Sequence, residues 1–306
     1  MSVTKREFSV LSSDGIHALS GVLFFPEGDV KGYFHIVHGM TEYISRYERA
    51  MEDIARAGYI CFGYDHLGHG KTACSDEELG YIAKNNGWDI LTKDVKVFSD
   101  SVIKEFPYDA PYILMGHSMG SFIVRLAAEK YVSPDKLIIM GTGGANPAAD
   151  IGLALIGLTK FFKGERHISR FIDSVAFGSY NNRFKEEKDN LSWLTNDKEV
   201  REKYRNDKFC SFKFTVSAMG DLVRLMKYSN RKAWYKNICR DMPILLVSGE
   251  DDPVGNYSRG VSLVRDKLKK AGNNVECILY RGARHEILND FTYDDAMRDI
   301  LAFCND

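Results

Sequence analysis

YILMGHSMGSFIVRLA, Tyr112 to Ala127, is the stretch on which the reading of this chain turns. Pro111 opens it, and Tyr112 to Met115 is a short apolar run of the kind a buried strand needs. Gly116-His117-Ser118-Met119-Gly120 follows at once and fits G-x-S-x-G. Phe122, Ile123, Leu126 and Ala127 then recur at the helical spacing. A serine on a sharp turn between strand and helix is a nucleophile elbow. The turn is tight, so its flanking positions must be small. It raises the Ser118 hydroxyl above the sheet edge, beside a helix N-terminus that favours negative charge.

The segments on either side have the rhythm such a turn requires. Glu7–Leu11 and Leu19–Phe25 read as antiparallel strands joined at Ser13-Asp14-Gly15. Tyr33–Val37, Tyr59–Tyr64 and Leu137–Met140 read as buried strands. Helices are expected from Ser45, where Glu48 would complete a capping box, to a stop at Gly58, and over Asp89–Phe106. After Gly144 the rhythm breaks, and returns at Pro243 with strand Ile244–Val247, helix Ser258–Lys270, strand Val275–Tyr280 and helix Thr292–Cys304. Strands alternating with helices predict an α/β architecture, a mostly parallel central sheet with helices on both faces. Residues 1–144 and 236–306 would form this core. Residues 145–235, rich in aromatic and charged side chains and mostly helical in pattern, would be a cap over the carboxyl ends of the strands, where such sheets bind ligands.

A serine hydroxyl needs a base to attack at neutral pH. His285, in GARHE after strand Val275–Tyr280, is the last histidine in the chain and sits where the order Ser, acid, His places the base. His17, His35, His38, His66, His69, His117 and His167 precede the acid region or lie in the elbow. The acid should follow strand Ile244–Val247, where Glu250-Asp251-Asp252 stand in a row. Asp252 is preferred because it closes Gly-x-x-Asp before Pro253; Asp251 and then Glu250 are the alternatives. The backbone N–H of Met119, after the nucleophile, and that of Met40, after His38-Gly39, are the candidate oxyanion donors.

Composition narrows the class. Lys and Arg number 41 against 42 Asp and Glu, a net charge of -1, without the basic excess of a nucleic-acid binder. Hydrophobic residues make up 44%, enough for a large core. The six cysteines have no metal-ligand spacing and read as free thiols, and Asp65, His66 and His69 read as a shaped loop near the active site rather than a metal centre. No cofactor or metal is expected. The N-terminus has no signal-peptide pattern, and the longest apolar run, Ile151–Phe162, is shorter than a bilayer span, so a cytoplasmic protein is expected.

HGMTEYISRY (His38–Tyr47), DHLGHGKT (Asp65–Thr72), GHSMG, GEDDPVG (Gly249–Gly255) and GARHE, in this order, resemble the monoacylglycerol lipase and lysophospholipase group of α/β hydrolases, also called serine aminopeptidase-like. The resemblance covers most of the chain outside residues 145–235. It implies the α/β-hydrolase fold, a Ser118–Asp252–His285 triad and an oxyanion hole from Met40 and Met119. Tyr43, Leu67, Thr72 and Ser121 depart from the residues common in the group, and none belongs to the triad. The resemblance implies a serine carboxylic-ester hydrolase acting through an acyl-enzyme on single-acyl-chain lipids. An aminopeptidase on the same triad and a non-enzymatic binding protein are the alternatives. Phe161 and Phe162 in the apolar run, and Phe212, Phe214 and Met219 in a second apolar segment, are candidates for lining an acyl pocket, and the cap is a candidate for transient contact with a membrane or micelle. The run Lys185–Asp189 reads as a solvated charged face.

Overall fold

A computed structural model describes residues 3–306 of the chain. Eight strands form one sheet: β1 (Thr4–Leu11), β2 (Ala18–Phe25), β3 (Gly32–Val37), β4 (Tyr59–Tyr64), β5 (Tyr112–His117), β6 (Lys136–Met140), β7 (Ile244–Gly249) and β8 (Val275–Tyr280). Their spatial order is β1-β2-β4-β3-β5-β6-β7-β8. The pairs β1–β2 and β2–β4 are antiparallel and all later pairs are parallel. Strands β3, β4, β5 and β7 are buried along their whole length. That matches their unbroken apolar sequence, since strands covered on both faces have no reason to alternate.

The helices are α1 (Glu48–Arg56), α2 (Gly87–Glu105), α3 (Met119–Lys130), α4 (Ala149–Lys163), α5 (Arg170–Phe177), α6 (Lys198–Asn206), α7 (Val216–Ser229), α8 (Lys232–Asn237), α9 (Arg259–Ala271) and α10 (Tyr293–Asn305). One face of the sheet packs Leu91, Val95 and Phe98 of α2 with Ile123 of α3 and Val264 of α9. The other packs Met51 and Ile54 of α1 with Ala296 and Ile300 of α10. Helices α4 to α8 all lie between β6 and β7, where the strand rhythm of the sequence stops.

Two expectations are corrected. The capping box at Ser45 and Glu48 does not form. Glu48 is the first residue of α1 and its carboxylate pairs with Lys5 at 2.7 Å. The turn before α1 is instead held by Asp65, 21 residues away, which accepts the Ile44 N–H at 2.8 Å and the Lys71 N–H at 2.7 Å. The run Lys185–Asp189 is not merely solvated. Glu187 accepts from Arg201 at 2.6 Å and pairs with Arg284, and both arginines are buried. Arg284, hydrogen-bonded to it, holds the Glu187 carboxyl down at about 2, with Arg201 adding to the effect against burial.

The apolar run of α4 splits between two environments. Ile156 is buried and Leu155 packs on the core, while Ile151, Leu158, Phe161 and Phe162 are exposed. Among the described residues, no helix is long and apolar enough to cross a membrane. All six cysteines are free.

Candidate active site

Strand β5 runs straight into the elbow. Ser118 has φ +54° and ψ −118°, a conformation non-glycine residues rarely adopt. The flanking glycines allow it. A Cβ on Gly116 would lie 2.3 Å from the Gly120 carbonyl oxygen, and one on Gly120 would lie 2.1 Å from that of Val37. The turn is locked by the Ser118 N–H donating to Met140 O at 3.0 Å and by Ser121 Oγ donating to Ser118 O at 2.6 Å. Ser121, which departs from the common glycine, therefore ties the elbow. Ser118 is partly accessible between buried neighbours.

The loops after β7 and β8 bring in the other two residues. His285 Nδ1 lies 2.9 Å from Asp252 Oδ2, and both residues are buried. Asp252 is held in turn by the Val254 N–H at 2.8 Å and by Ser248 Oγ at 3.3 Å. An ionised Asp252 fixes the proton on Nδ1 and leaves Nε2 free to accept one. Of the three carboxylates in the row, Asp252 is the one in contact with His285. Asp251 is 43% exposed and its nearest cation, Arg183, is 4.0 Å away; Glu250 is exposed.

Met40 and Met119 both border the cavity beside Ser118. The Met119 N–H, at the first position of α3, has no intrahelical acceptor. The loop carrying Met40 lies against the serine, for a Cβ on Gly39 would come within 3.0 Å of Ser118 Cβ. That loop is held from below by residues to which no role could be given from sequence. Buried Glu42 accepts from the Gly39 N–H at 2.5 Å, Tyr47 OH at 3.0 Å and Arg46 at 3.0 Å, and its Oε1 lies 3.0 Å from His117 Nδ1. Arg46 also forms a two-point pair with Glu286, at 2.5 and 2.7 Å. The second nitrogen of His117 faces the His285 carbonyl at 3.2 Å. Burial disfavours charge on His117, but Glu42 outweighs it and the imidazole pKa is raised. Burial likewise acts to raise the Glu42 carboxyl, but His117 and Arg46 outweigh it and hold it well below the usual range. The signals in sequence were Glu42 and Arg46 four apart and Glu286 beside the base.

The loop Asp65–Thr72 packs behind this network. His66 donates its N–H to His38 Nε2 at 3.0 Å, and its own Nε2 faces His38 O at 3.1 Å. Elsewhere, His17, Cys74 and Glu78 bring three donor types within 4.8 Å of one another. His17 faces Asp14 at 2.5 Å and Glu78 at 3.5 Å. Burial opposes charge there, but the two carboxylates raise its pKa. They favour the protonated ring, which has no lone pair to give a metal.

A cavity of about 970 Å³ opens over Ser118 and His285. Helices α4 and α7, packed on each other, give it an apolar arm with Leu155, Ile156, Met219, Leu222 and Met226, beside Val175 of α5. Its polar lining includes Cys210, Ser211 and the pair Thr41 and Tyr204, whose hydroxyls lie 2.7 Å apart. Of the expected pocket residues, Met219 and Phe212 line it. Phe214 is buried behind Phe212 and against His69. Phe161 and Phe162 do not line it, and stand 81% and 70% exposed at the outer end of α4. A run apolar at nearly every position cannot say which side faces in.

The sequence pattern of the hydrolase family described as serine aminopeptidase, S33, matches residues 28–292. The chain belongs to this family. It is an ester hydrolase of the α/β-hydrolase fold. It is 31% identical to the monoglyceride lipase of Mus musculus over 85% of this chain and 77% of that protein. The structure is similar to that of a highly thermostable carboxyl esterase from Bacillus coagulans, with a TM-score of 0.93 and 27% identity over 99% of this chain and 98% of that one. A soluble variant of the Saccharomyces cerevisiae monoglyceride lipase, bound to a substrate analog, shares the fold with a TM-score of 0.75 and 20% identity over 99% of this chain and 94% of that one.

Proposed function

We propose that this hydrolase cleaves single-acyl-chain lipid esters, monoacylglycerols or lysophospholipids, through an acyl-enzyme on Ser118. The observation that carries the reading is the His285–Asp252 pair at 2.9 Å, with His285 and the elbow serine Ser118 lining one cavity that has both apolar and polar walls. Ser118 Oγ attacks the ester carbonyl carbon and its proton passes to His285 Nε2. The N–H groups of Met40 and Met119 stabilise the oxyanion. His285 returns the proton to the leaving alcohol, and water repeats the sequence to free the acid. The apolar arm would take the acyl chain and the polar lining the alcohol.

An aminopeptidase would need a free carboxylate to hold the substrate's amine. Three carboxylates line the cavity, and each has a cation: Glu42 and Glu286 share Arg46, and Asp173 pairs with Lys213 at 2.6 Å. This favours the esterase. Residues 145–235 act as the cap. Their exposed Phe161, Phe162, Phe171 and Val175 stand among Lys163, Arg166 and Arg170, a composition suited to transient contact with a lipid surface.

The test is turnover by the protein and by Ser118→Ala of p-nitrophenyl esters from acetate to palmitate, with monoacylglycerol, lysophospholipid and an amino-acid anilide alongside. Preference for long acyl chains, abolished in Ser118→Ala, supports the reading. Short-chain preference sinks the lipid assignment. Faster anilide cleavage favours the peptidase, and no turnover with no labelling by a fluorophosphonate favours a binding protein.

A further inference from the structure

The loop carrying His285 is clamped by a segment of the insertion, residues 187–196. The His285 N–H points to Trp193 O at 3.4 Å, and the Glu286 N–H donates to Leu194 O at 2.8 Å. Beside them, Arg284 donates to Ser192 O at 2.6 Å and pairs with Glu187, which also holds Arg201 of α6. Asn196 Nδ2 donates to Gly282 O at 3.0 Å. After a 3-10 turn that ends at Glu187 the segment has no regular secondary structure, yet it bonds the loop's backbone at Gly282 O and at the His285 and Glu286 N–H groups. One side chain reaches the base itself. The Trp193 ring lies against the His285 imidazole, with centroids 5.2 Å apart and planes at 38°, and Tyr180 packs edge-on against Trp193 at 5.0 Å.

Asp252 holds one edge of the imidazole, but a single hydrogen bond leaves the ring free to swing about the Nδ1–Oδ2 line. Restricting that swing takes a group against the ring's face. Two rings do this, His117 of the elbow with its centroid 4.7 Å from the imidazole and Trp193 of the insertion at 5.2 Å, and Glu187, Arg284 and Arg201 fix the segment that carries Trp193.

We propose that Trp193 is a positioning residue for His285, and that the segment 187–196 is a fixed part of the catalytic assembly rather than part of a moving lid. The inference rests on His285 being the base. It implies that any opening of the cap for substrate is confined to α4 and α5. If 187–196 moved with them, the base would lose its backbone partners and its ring contact in each cycle.

The test compares Trp193→Ala, Trp193→Phe and Glu187→Gln with the parent protein on p-nitrophenyl acetate and on a long-chain ester, with labelling by a fluorophosphonate. The acetate barely reaches the apolar arm, so it separates positioning from acyl binding. In Trp193→Ala, kcat should fall on the order of tenfold or more on both esters, since an angstrom of misplacement at a reacting group costs up to about a hundredfold. The KM for the acetate should change little, and labelling should slow in parallel with kcat. Trp193→Phe keeps a ring against the imidazole and should recover most of the rate. Glu187→Gln leaves the pocket wall intact and should lower kcat in the same direction. The proposal is overturned if Trp193→Ala raises KM on the long-chain ester alone, or if labelling of the three variants matches that of the parent. If Trp193→Ala fails to fold, the Trp193→Phe and Glu187→Gln results decide. Absence of labelling in the parent protein would instead overturn the serine-hydrolase reading, so the two failures are distinguishable.

Discussion

Glu42→Gln removes one negative charge from beneath the oxyanion loop and little else. In the folded protein that carboxylate accepts from Gly39, Tyr47 and Arg46 and faces His117. Removing one partner of a buried ion pair costs about 3–5 kcal/mol. The loss here should fall at or just below the lower limit of that range, at about 2–3 kcal/mol. Glutamine keeps an oxygen for the Gly39 N–H, and Arg46 retains its two-point pair with Glu286. In a chain of 306 residues that is a fall in Tm of about 3–5 °C. Losing an oxyanion donor outright costs about 10²–10³ in kcat. Here the donor stays but its loop is loosened, so a fall of about tenfold is expected.

The pH dependence makes the prediction sharper. His117 has a raised folded pKa, so its contribution to stability is complete below its ordinary value of 6.5 and is lost as pH rises through the folded value. Glu42 has a lowered folded pKa, so its contribution is complete above its ordinary value of 4.5 and is lost as pH falls through the folded value. The Tm difference between the parent and Glu42→Gln should therefore be widest between pH 4.5 and 6.5 and shrink on the alkaline side. Thermal melts from pH 4 to 9, with kcat normalised to active sites titrated by a fluorophosphonate, measure both effects. A difference that is flat across the range would show that His117 carries no charge in the fold. Unchanged Tm and kcat would refute the role given to the network.

Asp252→Asn should lower kcat by about 10³–10⁴ by turning the imidazole to the wrong tautomer, while Asp251→Asn stays within about twofold; comparable losses would reopen the choice of acid. Gly120→Ala drives a Cβ to 2.1 Å from Val37 O and 2.6 Å from His38 O, both backbone, and should cost about 2–3 kcal/mol in denaturant melts together with most of the activity. Asp221 on α7 is buried, and burial raises its pKa to about 6 against an ordinary 3.8. An acid raised in the fold destabilises it above that value, so Asp221→Asn should raise Tm by about 2–5 °C at pH 8, with the gain vanishing toward pH 4. Replacing Phe161 and Phe162 by Asp should abolish co-sedimentation with phosphatidylglycerol vesicles while leaving turnover of a short-chain ester unchanged; unaltered co-sedimentation would place lipid contact elsewhere.

The three residues proposed as the triad, whose places in the fold agree with the sequence reading, share one property. Ser118, Asp252 and His285 each follow a strand at its carboxyl end, and the order of strands is itself written in the apolar runs. Local pattern therefore carried them. Where one long-range partner decides the outcome, local pattern failed. Ser45 and Glu48 have the spacing of a capping box, yet Asp65 takes over the turn from another loop. Glu187 sits in a run of charges that looks solvated, yet Arg201, 14 residues on, and Arg284, 97 residues on, pair with it. Trp193 lies in a stretch with no period at all, 92 residues before the base it covers. Phe161 and Phe162 belong to a run so uniformly apolar that its inward side carries no mark.

These failures meet in residues 145–235, which divide physically in two. From Glu187 to Asn196 the insertion is bonded to the core by the Trp193 and Leu194 carbonyls and by the Glu187–Arg284 pair, and Arg201 of α6 joins it through Glu187. Over α4 and α5 it exposes Ile151, Leu158, Phe161, Phe162, Phe171 and Val175 to solvent. A side chain such as Phe gains about 1.5–3 kcal/mol on leaving water, so a lipid surface would stabilise whichever arrangement of α4 and α5 presents these residues to it. The same surface offers nothing to the clamped half, which has no comparable apolar exposure. A ligand shifts an equilibrium only by its differential affinity for the two states. On the proposed function, lipid contact would open the cavity at Leu155, Ile156 and Val175 without moving the segment bonded to the His285 loop. Access and catalysis would then be served by different halves of one insertion.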